Sequence, residues 1–139
     1  AAAMQLLKST NVALAGKTAV IIGRSNTVGK PLMHLLLAED VTVSVCHSKT
    51  PQDQMIAMIK AADIVCACLG KPFFVKKDWV KQGAMVIDIG INQVDGKIVG
   101  DVSPDVKDVA GYLSPVPGGV GPVTSVCLMA NVIEVLEKK

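Results

Sequence analysis

A polar turn bounded by two glycines, Gly-Arg-Ser-Asn-Thr-Val-Gly at residues 23–29, separates a short apolar run from a helical stretch. A strand, a glycine-rich turn and a helix in this order are typical of a dinucleotide site, because N–H groups at the helix N-terminus face the pyrophosphate. Gly23 permits the tight bend that such a turn needs. Ser25 stands where the usual Gly-x-Gly-x-x-Gly pattern has its second glycine, so a plain strand-to-helix turn is the alternative interpretation.

A second polar segment, Cys-His-Ser-Lys-Thr at residues 46–50, ends the next predicted strand. NAD-binding folds usually carry an Asp or Glu here, which accepts hydrogen bonds from the ribose and would repel a 2′-phosphate. This chain offers Ser48, Lys49 and Arg24 instead, and no acid. Because each hydrogen bond to a charged group contributes about 1.5–3 kcal/mol, these residues favour NADP over NAD. A polar strand end in solvent is the alternative.

A third segment, Asp-Ile-Gly-Ile-Asn at residues 88–92, ends a fourth predicted strand. Ligands of open α/β sheets lie beyond the carboxyl ends of the strands, so this segment is a candidate for contact with a nicotinamide ring. Gly90 would let the backbone approach the ring, and Ile91 would form an apolar wall. A buried strand end with a bulge at Gly90 is an equally good interpretation.

A fourth segment, Pro-Val-Pro-Gly-Gly-Val-Gly-Pro at residues 115–122, precedes the last predicted helix. Rigid prolines and glycines without side chains make a surface that another molecule can approach closely. The segment either holds a ligand, or packs against another domain, or forms a tight structural loop.

Short β-branched runs alternate with helical stretches and must position these segments. The predicted strands are 18–22, 41–46, 64–69, 84–89 and 112–116, and the predicted helices are 31–38, 50–61, 105–110 and 122–137. Asp95-Gly96 is a signal for a two-residue β-hairpin. The alternation predicts an α/β fold: a Rossmann-like, doubly wound, mostly parallel sheet with helices on both faces and a small β-hairpin, in one domain over residues 1–139.

The composition excludes several other classes of protein. Half of the 139 residues are apolar and 19% are charged, which excludes intrinsic disorder. A net charge of +2 and 3% aromatic residues argue against a nucleic-acid partner. Prolines and glycines interrupt the uncharged stretch 109–133, so we expect no membrane span. The four cysteines form no Cys-x-x-Cys pair, and no acid or histidine cluster has metal-ligand spacing, so we expect reduced thiols and no metal. We expect a cytoplasmic protein, with a mitochondrial location as the alternative.

The motifs together resemble one known family in their order and spacing. The chain is similar, over nearly its whole length, to the C-terminal cofactor domain of methylenetetrahydrofolate dehydrogenase/methenyltetrahydrofolate cyclohydrolase. The segments that carry the resemblance are 23–31, 46–50, 88–92, 100–102 and 115–124. The resemblance implies an enzyme that oxidises 5,10-methylenetetrahydrofolate with NADP, or with NAD in some members. It also implies that the methenyl product is hydrolysed in many members.

The resemblance also implies roles for particular residues. Gly23, Arg24 and Ser25 would bind the cofactor phosphates, Ser48 the 2′-phosphate and Ile91 the nicotinamide side. The residues that would lie at the cleft for tetrahydrofolate derivatives are Pro117, Gly118, Gly119, Val120 and Gly121. No catalytic residue is expected within this chain.

One departure from the family changes what this chain is expected to do. The family's catalytic Tyr-x-x-x-Lys motif lies in an N-terminal folate domain, whereas Tyr112 here is followed at the fourth place by Val116. We therefore expect a fragment that binds NADP, with little or no folate turnover by itself, and a homodimer, as is frequent in the family. The rival interpretations are a non-catalytic nucleotide-binding or dimerisation module and a domain of the shikimate dehydrogenase type. The Pro-Gly-Gly-Val-Gly-Pro loop argues against the latter.

Overall fold

Five strands rich in apolar residues form one parallel sheet in the computed structural model, which describes residues 2–26 and 28–116. They are β1 (Thr18–Ile22), β2 (Thr42–Cys46), β3 (Ile64–Ala67), β4 (Met85–Asp88) and β7 (Tyr112–Leu113), in the order β2-β1-β3-β4-β7. An antiparallel hairpin consists of β5 (Asn92–Val94) and β6 (Lys97–Val99). The helices are α1 (Ala2–Ser9), α2 (Gly29–Ala38) and α3 (Gln52–Ala61), and 3-10 turns lie at Lys77–Trp79 and Pro104–Asp108.

The inner strands β1, β3 and β4 are almost entirely apolar because both faces of the sheet are covered. Alternate residues of β1 point to opposite sides: Val20 and Ile22 join one core cluster, and Ala19 and Ile21 join the other. Helix α3 and the two 3-10 turns cover the first side, and helices α1 and α2 cover the second. The sheet with helices on both faces and the small hairpin confirm the predicted fold class.

The order of the strands creates a crevice at the carboxyl ends of the strands, which form one edge of the sheet. From β1 the chain crosses to β2 on one side and then returns past β1 to β3 on the other side. The connections that leave the carboxyl ends of β1 and β3 therefore diverge, and this is where open α/β sheets bind their ligands. The turn at residues 23–29 leaves β1 at this point.

Several predicted bounds differ from the structure. The predicted strand 64–69 ends at Ala67, because the N–H of Leu69 leaves the ladder and donates to the carboxylate of Asp101. The predicted strand 112–116 is only two residues long, and the predicted helix 105–110 is a 3-10 turn. The predicted helix 122–137 lies outside the described residues. No helix in the described part of the chain is long and apolar enough to cross a membrane.

Candidate functional site

The turn between β1 and α2 is tight because two glycines let the backbone approach itself. Gly23 has φ +130°, and a Cβ there would lie 2.6 Å from the carbonyl oxygen of Cys68. A Cβ on Gly29 would lie 2.5 Å from the carbonyl oxygen of Gly23. Side-chain atoms essentially never come so close to backbone oxygen, so both positions require glycine. Dinucleotide turns use glycines for the bend and for close packing of helix on strand in this way.

Ser25 binds the backbone at the start of helix α2. Its Oγ accepts hydrogen bonds from the N–H groups of Val28 (3.1 Å) and Gly29 (3.3 Å), and its carbonyl oxygen accepts one from Lys30 (3.0 Å). We expected these N–H groups at the start of the helix to face a pyrophosphate, but in the structure they donate to Ser25. Serine is favoured ahead of a helix because its oxygen accepts from such groups, and a serine in this turn was the signal in the sequence for this contact.

Three other N–H groups remain for an anion in this turn. Those of Arg24, Ser25 and Asn26 have no hydrogen-bond partner among the described residues, and all three residues are exposed. The hydroxyl of Ser25 accepts two bonds and still has its own proton to donate. The turn can therefore bind phosphate oxygens through its loop rather than through the first turn of the helix.

The ends of β1 and β2 lie side by side. Ile22 pairs with Cys46, and the next N–H, that of Gly23, donates to the carbonyl oxygen of Cys46 at 2.8 Å. Arg24 and Ser48 each follow this pair by two residues, so the register brings them to the same edge of the sheet.

A short turn holds Ser48 and Lys49 at the end of β2. The N–H of His47 donates to Thr50 Oγ1 (3.0 Å), the N–H of Thr50 donates to the His47 carbonyl oxygen (3.0 Å), and the N–H of Lys49 donates to His47 Nδ1 (3.1 Å). Ser48 and Lys49 are exposed at the tip of this turn. The edge thus presents one hydroxyl and two cations, counting Arg24.

Asp88 at the end of β4 is a buried acceptor of three N–H bonds. Gly90 and Asp101 donate to its Oδ1 (3.0 Å each), and Val102 donates to its Oδ2 (3.1 Å). The N–H of Asp88 donates in turn to Ser114 Oγ at 2.8 Å. Burial raises the pKa of the Asp88 carboxyl against these three bonds, and the charge of Asp101 raises it further.

Asp101 is fully buried and accepts four N–H bonds from two segments. The N–H groups of Leu69 (2.6 Å) and Gly70 (3.0 Å) donate to Oδ2. The N–H of Lys71 (3.1 Å) and the Asn92 amide Nδ2 (2.9 Å) donate to Oδ1. The carboxylate therefore joins the loop after β3 to the start of the hairpin that follows β4.

The two carboxylates also explain two glycines. A Cβ on Gly90 would overlap the Asp101 carboxylate, and a Cβ on Gly100 would overlap the Asp88 carboxylate. We expected Gly90 to let the backbone approach a ligand, whereas in the structure the side chain that needs this space is Asp101. Neither aspartate was among the predicted site residues. The available signal was that each aspartate lies beside a glycine in a motif, Asp-Ile-Gly and Gly-Asp-Val.

The remaining predicted site residues fall into two groups. Ile91 is 71% exposed at the carboxyl end of β4, so its side chain is open to contact by a ligand. The predicted cleft residues lie outside the described residues: Pro117, Gly118, Gly119, Val120 and Gly121. A cavity of about 380 Å³ beside Asp88 is lined in part by Pro115 and Val116, which directly precede them.

Neither thiol nor metal chemistry is supported in the described part of the chain. Burial raises the pKa of the Cys66 thiol to about 12 and that of Cys68 to about 11, so neither forms a thiolate at neutral pH. No group of three acids, histidines or cysteines is arranged to hold a metal ion within residues 2–26 and 28–116.

Comparison with known proteins places this geometry in a family. The family model for the tetrahydrofolate dehydrogenase/cyclohydrolase NAD(P)-binding domain matches residues 1–139. The bifunctional protein FolD of Thermus thermophilus is 50% identical over 131 residues, which cover 94% of this chain and 46% of the relative. The FolD protein of Clostridium tetani is 48% identical over 135 residues, or 96% of this chain and 48% of the relative. The chain thus spans about half the length of these relatives.

Solved structures agree with the sequence comparison. The structure of Trypanosoma brucei FolD, described as complexed with NADP cofactor and inhibitor, is 41% identical with a TM-score of 0.93, covering 99% of this chain and 49% of the other. That of Thermoplasma acidophilum dehydrogenase/cyclohydrolase is 37% identical with a TM-score of 0.90, covering 98% and 48%. By sequence and by fold, the chain belongs to the tetrahydrofolate dehydrogenase/cyclohydrolase family, as its NAD(P)-binding domain.

Proposed function

We propose that this chain is the cofactor domain of an NADP-dependent 5,10-methylenetetrahydrofolate dehydrogenase, an enzyme of one-carbon folate metabolism. The observation that carries the proposal is the pairing of β1 with β2. It brings Arg24 to the same sheet edge as Ser48 and Lys49, with no acid in either strand-end turn. The Trypanosoma relative, whose structure is described with NADP, supports the choice of cofactor.

The 2′-phosphate and the pyrophosphate have separate sets of donors. Ser48, Lys49 and the Arg24 guanidinium recognise the 2′-phosphate, because hydrogen bonds to a charged group are about twice as strong as neutral ones. The pyrophosphate would lie over Gly23 and would accept from the N–H groups of Arg24, Ser25 and Asn26, which have no partner among the described residues, and from the Ser25 hydroxyl.

The nicotinamide end lies at the carboxyl end of β4. The exposed side chain of Ile91 packs against the ring and shields one side of it from water. The bound cofactor would supply the hydride acceptor for oxidation of the methylene carbon of the folate. The chain's own task is to bind and orient the cofactor so that this transfer is intramolecular.

The rest of the enzyme supplies the folate chemistry in this proposal. The residues predicted to meet tetrahydrofolate derivatives are 117–121, opposite a further domain with the catalytic groups. The intact protein would also hydrolyse the methenyl product, and the Thermoplasma acidophilum relative, named a bifunctional dehydrogenase/cyclohydrolase, supports this. It would act as a homodimer in the cytoplasm.

A chimera tests the proposed activity. The chain replaces the matched region of the Thermus thermophilus FolD relative, and formation of NADPH from 5,10-methylenetetrahydrofolate is measured. We expect turnover by the chimera and none by the isolated chain, since both reactants must be held together. The control is the unmodified Thermus thermophilus FolD protein, assayed in the same way.

Two outcomes contradict the proposal. A folded chimera that binds NADP⁺ but forms no NADPH, beside an active control, would favour a non-catalytic nucleotide-binding module. Turnover by the isolated chain at the rate of an intact enzyme would contradict the assignment of the catalytic groups to another domain.

A further inference from the structure

Asp101 connects two segments that border the crevice at the sheet edge. Its Oδ2 is bonded to the N–H groups of the loop that leaves β3, and its Oδ1 to the Asn92 side chain as well as to Lys71 N–H. Asn92 directly follows Ile91, the residue placed against the nicotinamide. The carboxylate thus bonds to the residue next to that contact and joins it to the loop that leaves β3.

The loop after β3 is fastened to the Asp101 segment at further points. The N–H of Phe73 donates to the carbonyl oxygen of Gly100 (3.1 Å), and that of Val75 donates to the carbonyl oxygen of Asp101 (2.9 Å). Phe73 has φ +54°, a conformation that bulky residues rarely adopt and that persists only where the surroundings enforce it. The loop is therefore held in one shape, and the Asp101 side chain forms its first three contacts.

The Asp101 carboxylate has a chemical requirement that no neutral side chain of the same size can meet. Each of its oxygens accepts from two N–H donors. An asparagine amide has one oxygen and one NH₂ group. In either orientation, its NH₂ group would face two N–H donors and could not accept from them. No lysine, arginine or histidine of the described residues forms an ion pair with Asp101 or Asp88, so backbone and amide dipoles alone balance the buried charges.

We propose that Asp101 is a positioning residue for the nicotinamide half of the cofactor, acting through the loop at 69–71 and through Asn92 on Ile91. The inference rests on the proposed binding of NADP. The adenosine half depends on different contacts, namely the β1–β2 pairing and the turn that Ser25 closes. Loss of the Asp101 carboxylate therefore disturbs one half of the cofactor site and leaves the other half in place.

Two ligands separate these halves in a binding experiment. NADP⁺ uses the whole site, whereas adenosine 2′,5′-bisphosphate reaches only the end with Arg24 and Ser48. With Asp101→Asn we expect the affinity for NADP⁺, measured by calorimetry, to fall about tenfold or more, because bonds to a charged acceptor are lost. The affinity for the bisphosphate stays within about twofold, a change too small to represent a lost hydrogen bond.

A matched variant controls for the chemical change. Asp95→Asn makes the same substitution at an exposed position of the β5–β6 hairpin, which precedes Asp101; φ there is +51° and asparagine is well tolerated. It is expected to leave both affinities unchanged. If Asp101→Asn does not fold, Asn92→Ala decides the question, because it removes one of the four bonds to Asp101 and leaves the loop at 69–71 attached. We expect Asn92→Ala to weaken NADP⁺ alone.

The possible results are distinct. Parallel loss of affinity for both ligands would mean that Asp101 supports the domain as a whole, and unchanged affinity for both would mean that it has no influence on the site. Either result overturns the inference while leaving the proposed function intact. A wild-type chain that binds neither ligand would overturn both proposals.

Discussion

At the scale of single residues, two aspartates respond to pH in opposite directions. Burial raises the pKa of Asp88, so between the ordinary pKa, about 4, and the raised value the folded chain binds more protons than the unfolded chain. The free energy of unfolding contributed by Asp88 therefore decreases as the pH rises through this window. The loss of stability caused by Asp88→Asn should accordingly be larger near pH 4 than at neutral pH, as measured by denaturant unfolding at several pH values.

Asp63 provides the comparison with the opposite sign. Its hydrogen bond with the Lys81 ammonium (2.6 Å), followed by that from the Thr18 N–H, lowers its pKa. The resulting stability is present above the ordinary pKa and is lost as the pH falls through the lowered value. The loss of unfolding free energy caused by Asp63→Asn should therefore be largest at neutral pH and should disappear in strong acid. The same pH trend for both variants would contradict this account of the two environments.

At the scale of elements, the turn between β1 and α2 depends on how closely its backbone packs. Gly16 and Gly23 both have positive φ, but a Cβ on Gly16 meets nothing within 4 Å, whereas one on Gly23 overlaps Cys68. Gly16→Ala should cost only the conformational penalty, about 1–2 kcal/mol. Gly23→Ala should cost more and should also weaken NADP⁺ binding, which thermal unfolding and calorimetry would measure. If both variants lost the same unfolding free energy and Gly23→Ala kept its affinity for NADP⁺, the account of a close-packed turn would be contradicted.

Local pattern was sufficient to predict most of these elements. The run at 18–22 is apolar and β-branched, and it forms β1 with the predicted bounds. Asp95-Gly96 joins β5 to β6, as a two-residue hairpin signal should. Such features depend on neighbours in sequence, so a single chain reveals them.

The contacts made by buried polar side chains could not be predicted in this way. Asp101 accepts from Leu69, 32 residues earlier, and Asp88 N–H donates to Ser114, 26 residues later. Periodicity carries no information about such pairs, because they arise only when the sheet brings distant segments together. For the same reason the prediction extended β3 to residue 69, where the backbone in fact turns to the aspartate. The roles predicted for Arg24, Ser25, Ser48 and Ile91 stay predictions.

At the scale of the whole molecule, the residues that form the core and the residues proposed to bind the cofactor lie on different parts of the sheet. Both of its faces are buried under helices and turns, while the proposed ligand contacts come from residues that follow the carboxyl ends of β1, β2 and β4. The chain spans about half the length of its FolD relatives, and the part that it spans matches the family's NAD(P)-binding domain.

The most direct test of the central claim is calorimetric titration of the chain, and of Arg24→Ala, with NADP⁺ and with NAD⁺. Lys60→Ala, an exposed cation in the last turn of α3, is the control for loss of positive charge. We predict that the chain prefers NADP⁺, and that Arg24→Ala lowers its affinity for NADP⁺ by about 10- to 100-fold and for NAD⁺ much less. Binding of neither cofactor, or equal affinity for both, would contradict the claim that this edge of the sheet is built for a 2′-phosphate.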